Sequence, residues 1–141
     1  MAHSRQTIKL SQEGVLAALN AGVAKAEKIG VPQCIVMVDE SGSPLASIRM
    51  DGAKLLSMRT ARRKAITAAS NRSPTQDMDG VKSMRLAIAT DADFIALEGG
   101  LPIFIGGCLV GAIGVGSGSG EEDLLVARAA IAAIDGASEA A

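Results

Sequence analysis

Aromatic side chains are almost absent from this sequence of 141 residues: Phe94 and Phe104 are present, with no Tyr and no Trp. Aromatics usually anchor a core. This core therefore has to be built from Ala, Val, Ile, Leu and Met with backbones close together, an arrangement helped by 16 glycines. The same deficit excludes stacking platforms for single-stranded nucleic acid. Charge of one sign is lacking too, and a net charge of −1 sets up no field to attract DNA or RNA. No apolar run approaches the ~20 residues that span a bilayer, so no membrane partner is expected. Residues 1–6 carry no apolar stretch like that of a signal peptide, which makes the cytoplasm the expected compartment. Histidine occurs once, as His3, so neither a clustered metal site nor a Ser-His-Asp or Cys-His nucleophilic pair is expected. Cys34 and Cys108 lie in apolar, strand-like runs and read as buried free thiols.

What is present is a globular balance, 48% hydrophobic and 21% charged, in a length that fits one domain over residues 1–141. Residues 1–6 and 137–141 read as flexible tails. Ser11 is a good N-cap, and Val15, Leu19, Gly22, Ala26 and Ile29 follow at helical spacing until Gly30 and Pro32 stop the helix. Before Ser11, residues 7–10 form a short alternating segment. Residues 34–38 and 45–50 flank the turn formers Asp39 to Pro44 and read as a β-hairpin broken at Asp51-Gly52. A second helix spans residues 54–70. Its apolar stripe (Met58, Ala61, Ala65, Ala68, Ala69) is nearly all alanine, so something packs very close to it. Ser73-Pro74-Thr75-Gln76 can open another helix with Pro at its first position, and residues 81–89 have a weak helical pattern. Residues 102–105 and 108–115 form a second hairpin around Gly106-Gly107. Gly116 to Gly120 reads as a flexible connector. Glu121, Glu122 and Asp123 then read as the solvated start of a last helix, favoured there by the helix dipole. The order helix, hairpin, helices, hairpin, helix argues for an α+β fold with an antiparallel sheet.

Three places could carry chemistry. Arg49, Met50, Asp51 and Gly52 close the first hairpin, where a cation and an acid can bind a small acid or pair with each other. Lys64 lies at the edge of the alanine stripe. A desolvated lysine suits amine chemistry or an anion contact, and a lysine that snorkels at an interface edge gives the same pattern. Glu98-Gly99-Gly100 precedes a strand, and its glycines permit close backbone approach, to a ligand or simply around a bend.

Taken together, several segments resemble the GlcG/HbpS family of haem-degrading domains, also called DUF336. They are Val38 to Leu45, Arg49 to Ala53, Ala61 to Ala68, Gly99 to Ile103 and Gly111 to Gly116, followed by Asp123. Their order and spacing cover residues 10–133. The resemblance implies a profilin-like fold, with a five-stranded antiparallel sheet flanked by helices, and homo-oligomers, octamers among them, which would explain an alanine-lined helix. It also implies a small-molecule ligand, haem or a related tetrapyrrole, in an inter-subunit pocket lined by Arg49, Asp51, Lys64, Gly99 and Gly100, with Arg49 and Lys64 pairing propionates. Met50 and Glu98, beside those positions, are expected to bind the ligand with them. Axial ligation would fall to Met50, Met58, Cys34, Cys108 or Thr67, or to no residue of the chain. The alternative is a cofactor-independent isomerase, hydratase or lyase acting on a small organic acid. In that reading Arg49 fixes a carboxylate, Lys64 or Asp51 moves a proton, and the Gly99 and Gly100 N–H groups hold oxyanion charge.

Overall fold

The computed structural model describes residues 2–141, so Met1 of the expected N-terminal tail lies outside the described residues. Helix α1 (Gln12–Ile29) begins where Ser11 Oγ accepts from Gly14 N–H and ends on Gly30 in the left-handed conformation (φ 73°), which glycine adopts without a Cβ penalty. Strands β1 (Cys34–Asp39) and β2 (Pro44–Arg49) form the first hairpin. Asp39 ties its turn. Burial pushes this carboxyl up, but hydrogen bonds from Ser41 and Ser43 outweigh it and hold the group below its ordinary value. Helix α2 (Ser57–Asn71) starts three residues later than the expected position 54.

Helix α3 (Val81–Ala89) follows without a preceding helical turn at Ser73-Pro74. The chain there has no regular structure; Thr75 is buried, and its backbone N–H and hydroxyl are taken up by Gly100. Strands β3 (Gly100–Ile105) and β4 (Cys108–Gly116) form the second hairpin. Its turn residues Gly106 and Gly107 both have positive φ, as a tight two-residue turn requires. The connector between β4 and α4 (Gly120–Ala132) is short, residues 117–119, and it is tied down: Gly116 ends the strand, and Ser119 caps the helix in a reciprocal capping box with Glu122.

The sheet is antiparallel throughout, in the order β2-β1-β4-β3-β5. Its fifth strand is β5 (Ala137–Ser138), which pairs with Phe104 and Ile105. The stretch expected to fray is thus tied to β3, and an Arg128–Glu139 ion pair holds it as well. Residues 7–10 form no strand. This is the expected α+β, profilin-like architecture. No helix among the described residues is long and apolar enough to cross a membrane.

The two faces of the sheet are built differently. Ile35, Met37, Leu101, Ile103, Ile113 and Val115 point toward α1 and α4 and form the larger core cluster. Cys34, Val36, Val38 and Ala112 point the other way, against Ala61, Ala65, Ala68 and Ala69 of α2. The alanine stripe is therefore covered by the chain's own sheet, where a neighbouring subunit was expected. The approach is very close: a Cβ on Gly114 would lie 1.8 Å from the Ala61 carbonyl oxygen, and one on Gly100 would lie 2.4 Å from that of Lys64. Cys34 is fully buried, whereas Cys108 is only half-buried, because it opens β4 next to the exposed turn.

Candidate functional site

The expected site residues fall into two groups. The first surrounds Lys64. Its place on α2 turns the side chain toward the end of β4, where Nζ donates to Val115 O at 2.8 Å and to Asp123 Oδ2 at 3.0 Å. Lys64 is 5% exposed and Asp123 only 2%. Asp123 is therefore not part of a solvated helix start: the capping box places it on the inward side of the first turn of α4. Its other oxygen accepts from Gly118 N–H at 3.0 Å. The Gln33 amide, turned so that its nitrogen meets acceptors, donates to the same oxygen at 2.8 Å and to Gly116 O at 2.5 Å. Burial pushes the Asp123 carboxyl above its ordinary value, against the opposing pull of the Lys64 ammonium and the hydrogen bonds.

This cluster joins α2, β4, the Gln33 turn and α4. Its groups are engaged with one another. Gly99 (φ 123°) sits against it, since a Cβ there would lie 2.9 Å from Lys64 Nζ. The Gly100 N–H, expected to be free for oxyanion charge, donates to Thr75 Oγ1 at 2.8 Å. The Glu98 N–H donates to Asp77 Oδ1, and the Glu98 carboxylate packs over Gly120 at the start of α4. The close approach permitted by Gly99 and Gly100 is thus used for packing strand on helix.

The second group does line open space. Arg49, Met50 and Asp51 edge a groove of about 450 Å³ between β2 and the C-terminal half of α1, floored by Val23, Ala26 and Ile48. Arg49 and Asp51 are exposed and Met50 is half-buried. None of the residues of the Lys64 cluster lines this groove. Arg49 and Asp51 form no ion pair with each other, and Arg49 forms none with any described residue.

Burial also sorts the expected axial ligands. Cys34 is fully buried, its thiol pushed up by burial, with Sγ against Lys54 O. Thr67 is buried, and its hydroxyl donates to Asp93 O and accepts from Ile95 N–H. Met50 and Met58, by contrast, each line a groove. Among the described residues no three His, Cys, Asp or Glu side chains come together as a metal site. Reading the sequence missed the roles of Gln33, Thr75 and Asp123. Only the match of Asp123 to the family segments hinted at its importance.

The comparisons agree with this architecture. GlcG of Escherichia coli is 35% identical over 107 residues, covering 75% of this chain and 80% of GlcG. The corrinoid adenosyltransferase PduO of Salmonella typhimurium is 30% identical over 140 residues, covering 94% of this chain but 42% of PduO, so the chain spans less than half of that relative. The crystal structure of a PduOC–haem complex superimposes with a TM-score of 0.86 at 28% identity, covering 95% of this chain and all of that one. The family model of the haem-degrading protein HbpS-like matches residues 10–132. The chain belongs to the HbpS-like family.

Proposed function

We propose that this protein binds a small ligand, haem or a related tetrapyrrole, in the groove between α1 and β2, and that a second copy of the chain completes the pocket. The observation that carries this reading is the set of side chains at that groove. An unpaired guanidinium (Arg49) and a thioether (Met50) stand, with the carboxylates of Glu27 and Asp51, around an apolar floor of Val23, Ala26 and Ile48. Those residues fit the group. The floor suits a macrocycle, Arg49 suits a propionate, and Met50 is a known type of haem ligand. When bound, haem would supply the iron, and this chain would supply orientation and charge. Membership in the HbpS-like family and the likeness to a haem-complexed relative support the same ligand class.

Helix α3 supports self-association. It buries none of its residues and exposes Val81, Met84 and Ile88. A nine-residue helix is marginal in water unless its apolar face is covered. A homo-oligomer, in the octameric form the family resemblance implies, would cover it.

Haem titration followed by the Soret band tests the ligand. A saturable shift at a fixed stoichiometry per chain, lost in Met50→Ala and weakened in Arg49→Gln, is the expected result. The absence of a shift in the unmodified protein would exclude haem.

A further inference from the structure

On the opposite face of the sheet, a second groove of about 440 Å³ runs between α2 and the edge strand β2. Three arginines line it, Arg59, Arg62 and Arg63, together with the apolar surfaces of Val36, Pro44 and Met58. They stand at positions i, i+3 and i+4 of one helix, which puts like charges on neighbouring turns, an arrangement that destabilises a helix. No described residue forms an ion pair with any of them. Asp93, the acid at this groove, is exposed and is also outside every described ion pair, so the groove keeps an excess of positive charge. Arg63 is half-buried, which reduces the hydration of its guanidinium.

We propose that this groove is a binding site for an organic anion carrying two carboxylates on an apolar body. Arg59 and Arg62 stand one turn apart, and each planar guanidinium can bind one carboxylate with two parallel hydrogen bonds. Val36, Pro44 and Met58 take the body between them. Bound carboxylates relieve the repulsion among the arginines, which accounts for three unpaired cations on one short stretch of helix. Two sources supply this chemistry, a free aliphatic dicarboxylate and the propionate edge of a tetrapyrrole. The site is separate from the Arg49–Met50 groove and does not depend on it.

The test is calorimetric titration of the purified protein with suberate and, separately, Soret titration with haem. Each is run on the unmodified protein, on Arg59→Gln/Arg62→Gln and on Arg128→Gln, with matched circular dichroism to verify folding. Suberate binding that weakens at least tenfold in the double variant and is unchanged in Arg128→Gln supports the site with a free dicarboxylate. Haem binding that weakens in the double variant supports it with propionates. If neither ligand's binding changes in the folded double variant, or neither ligand binds the unmodified protein, the proposal is overturned. Haem binding that depends on Arg49 and Met50 alone, with no suberate binding, would overturn this site and leave the first groove standing. Suberate binding without any haem binding would do the reverse.

Discussion

The two faces of the sheet solve the same packing problem with different materials. Toward α1 and α4 the sheet presents Ile35, Leu101, Ile103, Ile113 and Val115, and the helices stand off at the width of these branched side chains. Toward α2 it presents Gly100, Ala112 and Gly114, and the helix answers with Ala61, Ala65 and Ala68, so that backbone lies nearly on backbone. Neither face has an aromatic ring in its core cluster, and where Gly100 and Gly114 meet α2 there is no room for one. Small residues here bring α2 down onto the sheet. That places Lys64 within reach of Asp123 and fixes α2 beside the edge strand β2.

Substitutions on the two faces should therefore differ in cost. The largest effect is expected at Gly114. Its alanine variant would drive a Cβ into the Ala61 carbonyl, and because backbone cannot yield as a side chain can, the loss should exceed about 4 kcal/mol, read as loss of a cooperative thermal transition. Next is Lys64→Met, which leaves Asp123 buried without its counter-charge and should cost about 3–5 kcal/mol by urea unfolding. Overfilling the tight face with Ala65→Val should cost about 1–3 kcal/mol. Trimming the roomier face with Ile113→Val should cost only about 0.5–1.5 kcal/mol.

The smallest effect is one of pH. The Asp123 carboxyl titrates above its unfolded value of about 3.9, so in that window the folded state holds the extra proton. Stability must then fall as pH rises from the unfolded value through the raised one. Asp123→Asn should flatten this part of the profile of unfolding free energy against pH.

Elements governed by local signals were legible in the sequence. Ser11 and Gly30 bracket α1, the Asp39 turn and Gly106-Gly107 mark both hairpins, and the three acids mark the start of α4. Contacts between distant residues were not. An acid in the first turn of a helix has the same local pattern whether it faces water or, like Asp123, a lysine 59 positions away. The alanine stripe correctly implied a close neighbour, but nothing local distinguishes the chain's own Gly114 from another subunit. Strand β5 has two residues, too few for any periodicity. Of the expected site, Arg49, Met50 and Asp51 do share a groove, because adjacent residues at a strand end stay together whatever the tertiary fold. Lys64, Gly99 and Gly100 meet through tertiary packing, and that packing engages them with one another.

The alanine face of α2 is an internal contact of one chain. Urea unfolding of the unmodified protein and of Ala65→Val, repeated across a wide range of protein concentration, tests it most directly. An internal contact predicts the same loss, about 1–3 kcal/mol, at every concentration. A loss that is present when the protein assembles and vanishes on dilution would instead place the face between subunits.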